Sequence, residues 1–473
     1  MTTSETPVPT SEVAERRFEV SSRSVFAIAV PMTLAYATVP LLGITDTAVV
    51  GRLGDAAPLA GLAVGAVVFD LVFGTLNFIR ASTTGFVAQA FGRGDDIEQQ
   101  AAAWRGTLIG VAVGIVVALC GPLLAAAGVA GMGIGGATAD AARSYVVIRS
   151  LGAPFSLANY ALLGYVLGRG EARLALILTT LLNGTNIALS ITLGLGLGWG
   201  VAGVAAATVI GEAVVTAATA WLLWRRFAAR PARPSRARVL DRAALSRLFA
   251  VNGDIMIRSF CLIGTFALFT RLGADQGPVV LAANALLMNL FLLSAYILDG
   301  LATAAEQQAG RALGAGWREG FERSVRLCTL WGLALTLPLF LVFSLGGGAA
   351  IDLMTTEPDV RETARRYLVW AAATAPVGVL AFVMDGVFIG ATWSRDMRNT
   401  MLASVAVFAV VALLARAAFG NHGLWLALNA FLLARGLLLR ARMSRNATRS
   451  FEGVNYPSNP TGGDRKNGDI TIG

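Results

Sequence analysis

Residues 145–168, YVVIRSLGAPFSLANYALLGYVLG, and residues 367–390, YLVWAAATAPVGVLAFVMDGVFIG, decide the fold. Each is apolar and long enough to cross a bilayer, since about 20 helical residues span ~30 Å of hydrocarbon. The two stretches also match each other. Tyr145, Pro154, Gly164 and Gly168 return 222 positions later as Tyr367, Pro376, Gly386 and Gly390, with their spacing unchanged. Arg52, Leu53 and Gly54 return as Arg271, Leu272 and Gly273, and Gln89, Gly92 and Arg93 as Gln307, Gly310 and Arg311, so the halves align nearly end to end. In a chain this apolar, a long internal repeat points to two similar membrane lobes with a site where they meet.

Composition agrees. Of 473 residues, 55% are hydrophobic and 14% charged, with a mean hydropathy of +0.65, so the chain lacks the charge to coat a soluble core of its size. Runs at 107–129, 201–222 and 328–350 are likewise of spanning length. Lipid offers no partners to unpaired backbone groups, and long continuous runs are not the alternating strands of a barrel. The expected fold is an all-α membrane protein of about twelve transmembrane helices, in two six-helix lobes related by internal duplication. The net charge of +9 resides mostly in arginines between apolar runs, which are topology signals and not a nucleic-acid face. Cys120, Cys261 and Cys328 form no CxxC pair, so neither a disulfide framework nor a zinc site is indicated. The polar first ~20 residues, followed by a run of full spanning length, argue against a cleavable signal.

Spans are predicted near 25–49, 57–80, 105–129, 141–166, 173–196, 201–224, 246–270, 278–304, 326–349, 364–390, 400–418 and 422–440. Arginines concentrate in alternate gaps, which places both termini in the cytoplasm; the stretch with Arg361, Arg365 and Arg366 is the one conflict. The expected organisation is a cytoplasmic N-terminal tail (1–22), an N-lobe (23–226), a cytoplasmic Arg/Pro-rich linker (227–244), a C-lobe (245–442) and a disordered cytoplasmic tail (443–473). The expected location is a bacterial inner membrane.

An ionisable side chain within hydrocarbon costs a few kcal/mol or more, so each one needs a reason. Asp46, between Thr45 and Thr47, has no arginine on adjacent turns. A carboxyl taken out of water holds its proton more tightly, so Asp46 is the candidate carrier of a proton or cation; the plainer reading is an acid that reaches water at the helix end. Its counterpart in the second half is Thr265, so the shared scaffold does not demand an acid there. Asp254, Asp299, Glu306 and Asp385 in turn face Ala35, Ala81, Ala88 and Leu163. Asp254 has Arg258 one turn later, which predicts an i, i+4 ion pair. Asp299 and Glu306 share a helix face, with Glu306 near the cytoplasmic end where solvent reaches. Asp254, Arg258, Asp299, Glu306 and Asp385 form the candidate C-lobe set for substrate or gating, while Asp70 and Glu212 have no evident partner. Asn183, Asn186, Ser190 and Thr208 make a polar cluster on the fifth and sixth spans, for which interhelical glue is the plain reading. Pro31, Pro40, Pro154 and Pro376 can free carbonyls and bend helices.

Other motifs carry little. GLGLGWG lacks the strand a dinucleotide loop needs, LGD at Leu53 to Asp55 lies in an outer turn, and His422 falls in another, where a lone histidine is usually solvated. HExxH, GxSxG and GKS/T are absent, so neither an ATP-driven pump nor an enzyme is indicated.

DTAVVGRLG in the first span, NGDIMIRS in the seventh, LDGLATAAEQQAGRALGA in the eighth and DGVFIGATWSRDMRN from the tenth resemble the MATE (multidrug and toxic compound extrusion) family, most closely its DinF-like branch, over residues 20 to 442. The resemblance implies a two-lobed antiporter that exports organic, often cationic and amphipathic compounds in exchange for H+ or Na+. It also implies a coupling acid at Asp46, with Asn186, Thr208 and Tyr145 around it. Many relatives carry a second aspartate where this chain has Ser190, and one carboxylate fewer weakens an oxygen cage for Na+. The expectation is therefore a proton antiporter working by alternating access, with Na+ at Asp46 as the alternative and no cofactor or bound metal. Lipid bilayer and small organic substrates are the expected partners, nucleic acid is not, and a monomer is expected. A lipid-linked oligosaccharide flippase of the same superfamily is the nearest competing function; Arg80, Arg149 and Arg258 speak for it, and the predominance of buried acids against it.

Overall fold

The computed structural model describes residues 18–230 and 233–452, and every regular element among them is helical. The spans are α1 (Ser22–Gly51), α2 (Ala56–Arg93), α3 (Asp96–Leu119), α4 (Gly136–Leu151 with Ala153–Gly168), α5 (Ala172–Gly196), α6 (Gly200–Ala228), α7 (Arg242–Ala274), α8 (Pro278–Gly314), α9 (Arg318–Met354), α10 (Pro358–Gly390), α11 (Ser394–Phe419) and α12 (Asn421–Glu452). Eleven qualify as spans by length and apolarity, and α4, bent by 50°, is the twelfth. Outward leucines such as Leu345 and Leu353 are almost fully exposed, an arrangement that suits lipid and not water. Residues 443–452 of the expected disordered tail are instead helical, because α12 continues to Glu452 and Phe451 packs edge-on against Phe321. The remainder of that tail, and residues 1–17 of the N-terminal one, lie outside the described residues.

Two of the four prolines sit at helix breaks. Pro40 has no N–H for the carbonyl one turn back, and α1 is interrupted at Thr38, whose hydroxyl turns to the Ala35 carbonyl at 2.6 Å. Asn183 of α5 then donates to the Thr38 hydroxyl at 2.6 Å, which ties the break to its neighbour. The second break, at Gly152 before Pro154, is absent from the repeat: Pro376 lies inside a continuous α10, and Pro31 inside a continuous helical segment. A proline alone therefore does not set the bend. At Gly152 a methyl group would lie 2.8 Å from Glu212 Oε2, so the glycine admits a carboxylate from α6 into the kink. Position 374 in α10 is Thr374, whose hydroxyl bonds its own helix at 2.5 Å.

The two halves meet closely at the end that carries the linker. There α2 and α8 cross at Gly92 and Gly314, where a methyl on either would overlap a carbonyl oxygen of the other helix, that of Arg311 or Gln89. Gln89 donates to the Gly390 carbonyl at 2.9 Å and to Thr392 Oγ1 at 3.2 Å, sealing the same end across the halves. The linker docks on the N-lobe: buried Arg105 of α3 bonds the carbonyls of Arg238 and Val239 at 2.8 and 3.1 Å and pairs with Glu98 at 2.6 Å. Toward the opposite end the halves part and enclose a cleft.

Candidate functional site

The N-terminal side of the cleft is a cavity of about 970 Å³ whose wall includes Asp46, Tyr145, Asn186 and Thr208. These four come from α1, α4, α5 and α6. Ser190 Oγ donates to Asp46 Oδ1 at 2.9 Å, with Asn186 Oδ1 as a longer second acceptor at 3.3 Å. Ser190 opens a π-helical turn, Ser190–Gly196, at the end of α5, a distortion frequent at functional sites. Thr208 spends its hydroxyl on the Val204 carbonyl at 3.2 Å and presents its remaining surface to the cavity. Tyr145 is buried, and its ring occupies the space that a methyl on Gly65 of α2 would need, so α2 and α4 approach there only through a glycine.

Asp70 lines this cavity and a second one of about 410 Å³, which holds Arg80, Arg258, Asp299, Glu306, Asp385 and Arg435. Asp385 of α10 is clamped by two arginines, Arg258 of α7 and Arg435 of α12, the latter also through Nε at 3.1 Å. The i, i+4 pair expected between Asp254 and Arg258 does not form. Asp254 accepts from Arg398 and Ser394, both at 2.7 Å, and faces the linker-end surface, because Arg258 leans to the other side of α7 where Asp385 waits. Glu306 is not solvated as expected: it is 2% exposed and lies 3.7 Å from Arg80 of α2, a cross-lobe ion pair. Nearby, Tyr36 of α1 and Thr303 of α8 share a 3.0 Å hydrogen bond between the halves.

Comparison with known proteins fits this architecture. The MatE family profile matches residues 31–192 and again 255–414, one match in each half of the repeat. The chain belongs to the MatE family. It is 38% identical to DNA damage-inducible protein F of Escherichia coli (strain K12) over 90% of this chain and 94% of that protein. The probable multidrug resistance protein NorM of Deinococcus radiodurans is 30% identical, covering 89% and 94% of the two chains. Among solved structures, an outward-facing multidrug resistance MATE family transporter of the MOP superfamily superposes with a TM-score of 0.84 at 16% identity, over 95% of this chain and all of that one. This MatE chain is a transporter and not an enzyme.

In this MatE transporter several partners escaped sequence reading. Glu212, without an evident partner in the sequence, receives Arg149 at 3.1 Å and the Ser156 hydroxyl at 2.5 Å, both from α4 on either side of its kink. Sequence separation hid the pair. Arg435 was accessible to the test applied to the acids, since it falls mid-span in α12. His422 is half-buried and accepts from Trp370 Nε1 at 3.0 Å while its ring meets Tyr367, so it is not the solvated turn residue expected. Asp55 of the LGD turn caps α2 through the Ala57 amide at 2.9 Å.

Proposed function

We propose that this protein is a secondary active antiporter that exports organic, cationic and amphipathic compounds in exchange for protons by alternating access. The observation that carries the proposal is the charge of the cleft. Six acids line its two cavities (Asp46, Asp70, Glu212, Asp299, Glu306 and Asp385) against four arginines (Arg80, Arg149, Arg258 and Arg435). Each of these arginines lies in an ion pair, whereas Asp46, Asp70 and Asp299 lie in none among the described residues. A lipophilic cation entering the cleft therefore meets uncompensated carboxylates among aromatic walls such as Phe69, Phe73 and Phe291. A pyrophosphate would meet no arginine free to hold it, which disfavours a lipid-linked oligosaccharide flippase.

Asp46 suits the coupling role because its one strong partner, Ser190, is a neutral donor, so gain of a proton leaves no arginine uncompensated. Asp46, Ser190 and Asn186 supply a single carboxylate, which favours H+ over Na+ as the coupling ion. Proton and substrate need only bind the two lobe arrangements with different affinity for exchange to follow. With the termini and linker in the cytoplasm, a bacterial inner membrane as the setting and a monomer as the working unit, the cleft faces outward. Substrate-dependent proton release from the purified protein, measured with and without Na+, tests the reading. Release that is independent of Na+ supports it, and release that is absent, or replaced by Na+ displacement, overturns it.

A further inference from the structure

A groove of about 560 Å³ lies outside the cleft, where the linker folds back over the ends of α3 and α6. Its floor and walls are apolar: Trp104 and Leu108 from α3, Trp224 and Phe227 from α6, and Leu240 from the linker. Trp104, Leu108, Trp224 and Leu240 remain between 38% and 59% exposed, on the side of the bundle that faces lipid. The depth is interfacial. Trp221 and Trp224 stand in the last two turns of α6, and Arg225 lies over the Trp221 ring at 5.0 Å, the aromatic and cationic belt of a span leaving hydrocarbon.

The charge of the groove is cationic. Arg233 and Arg236 line it beside the neutral Gln100, and no acid does. The acids nearby are committed elsewhere: Glu98 takes Arg105 and Arg238, Asp95 takes Arg238, and Asp96 takes Arg230. Arg233 has one hydrogen bond, to the Ala228 carbonyl at 3.2 Å, and Arg236 has none from its side chain among the described residues. Two exposed guanidinium groups at the mouth of an apolar groove, at headgroup depth, complement an anionic headgroup with an acyl chain beneath it.

We propose that this groove binds one anionic phospholipid, its phosphate at Arg233 and Arg236 and an acyl chain along Trp104, Leu108 and Trp224. The lipid would touch the N-lobe and the linker together and hold the linker in its docked position. Native mass spectrometry of the full chain with phosphatidylglycerol or phosphatidylcholine tests this. Each arginine near a headgroup contributes about 1 kcal/mol, so one phosphatidylglycerol should be retained at least about tenfold over phosphatidylcholine. The double variant Arg233→Gln, Arg236→Gln should lose that preference, and Arg442→Gln, an exposed arginine on α12, should keep it. Both arginines are exposed, so the variant should fold, and its melting temperature without added lipid confirms that it does. Equal retention of the two lipids, unchanged preference in the double variant, or equal stabilisation by inorganic phosphate alone overturns the proposal.

Discussion

The Ser190 hydroxyl reaches from α5 to Asp46 on α1 and donates to Oδ1 at 2.9 Å, so the acid proposed to carry the proton is oriented by a neutral group. Asp46→Asn keeps the size of the side chain and an oxygen for Ser190 to bond. The variant should fold normally and still bind substrate, but proton-driven efflux in proteoliposomes should fall by at least about tenfold. The pH dependence has a definite sign. Protonation removes a negative charge from the cavity, so wild-type affinity for a cationic substrate should weaken as pH falls, while Asp46→Asn should show the weak affinity at every pH. Wild-type efflux rates in Asp46→Asn would rule this residue out as the carrier.

Ser190→Asp sets a second carboxylate beside the first. Two carboxylates this close cannot both ionise without a proton or a cation between them. The variant should gain a Na+-dependent rise in melting temperature that the wild type lacks, with choline chloride as the control. No difference between the two salts would mean that the missing carboxylate is not what disfavours Na+.

Glu212 holds Arg149 and Ser156 on both sides of the α4 kink. Removing the acid leaves a buried guanidinium unpaired, which costs roughly 3–5 kcal/mol. Glu212→Ala should therefore be strongly destabilised to SDS titration, and Glu212→Gln, which keeps an oxygen for Arg149, less so. Equal losses for the two variants would show that the lost charge dominates and that the oxygen kept by glutamine does nothing for Arg149.

Much of this was legible in the sequence, and the boundary has a physical basis. Span positions follow from apolar runs because the bilayer sets their length, and the lobes follow from a repeat that includes Tyr145 and Tyr367. Asp46 stood out because a mid-span acid is expensive wherever it points. Pairing did not: the Asp254–Arg258 spacing suits a helix surface, yet side-chain direction is set by neighbouring helices, which deliver Arg398 to one residue and Asp385 to the other. The kink at Gly152 was equally hidden, since Pro154 and Pro376 look alike and the difference lies in a carboxylate 60 residues downstream, Glu212.

The same close crossing that seals the linker end makes the lobe arrangement testable. Gln89 of α2 gives two hydrogen bonds to the C-terminal half, at Gly390 and Thr392. Both must break if the halves are to part at that end. At about 1 kcal/mol each, their loss in Gln89→Ala should shift the balance of the two arrangements by roughly thirtyfold toward opening at the linker. The readout is maleimide labelling in a background with Cys120, Cys261 and Cys328 replaced by serine. A cysteine at Ala312, fully buried in α8 near the crossing, should become more reactive in Gln89→Ala. A cysteine at Asn289, which lines the cleft at the other end, should become less so. Rocking lobes close one end as they open the other, so the two reactivities must move in opposite senses; if both rise, the substitution has merely loosened the bundle and the lobes do not exchange as rigid bodies.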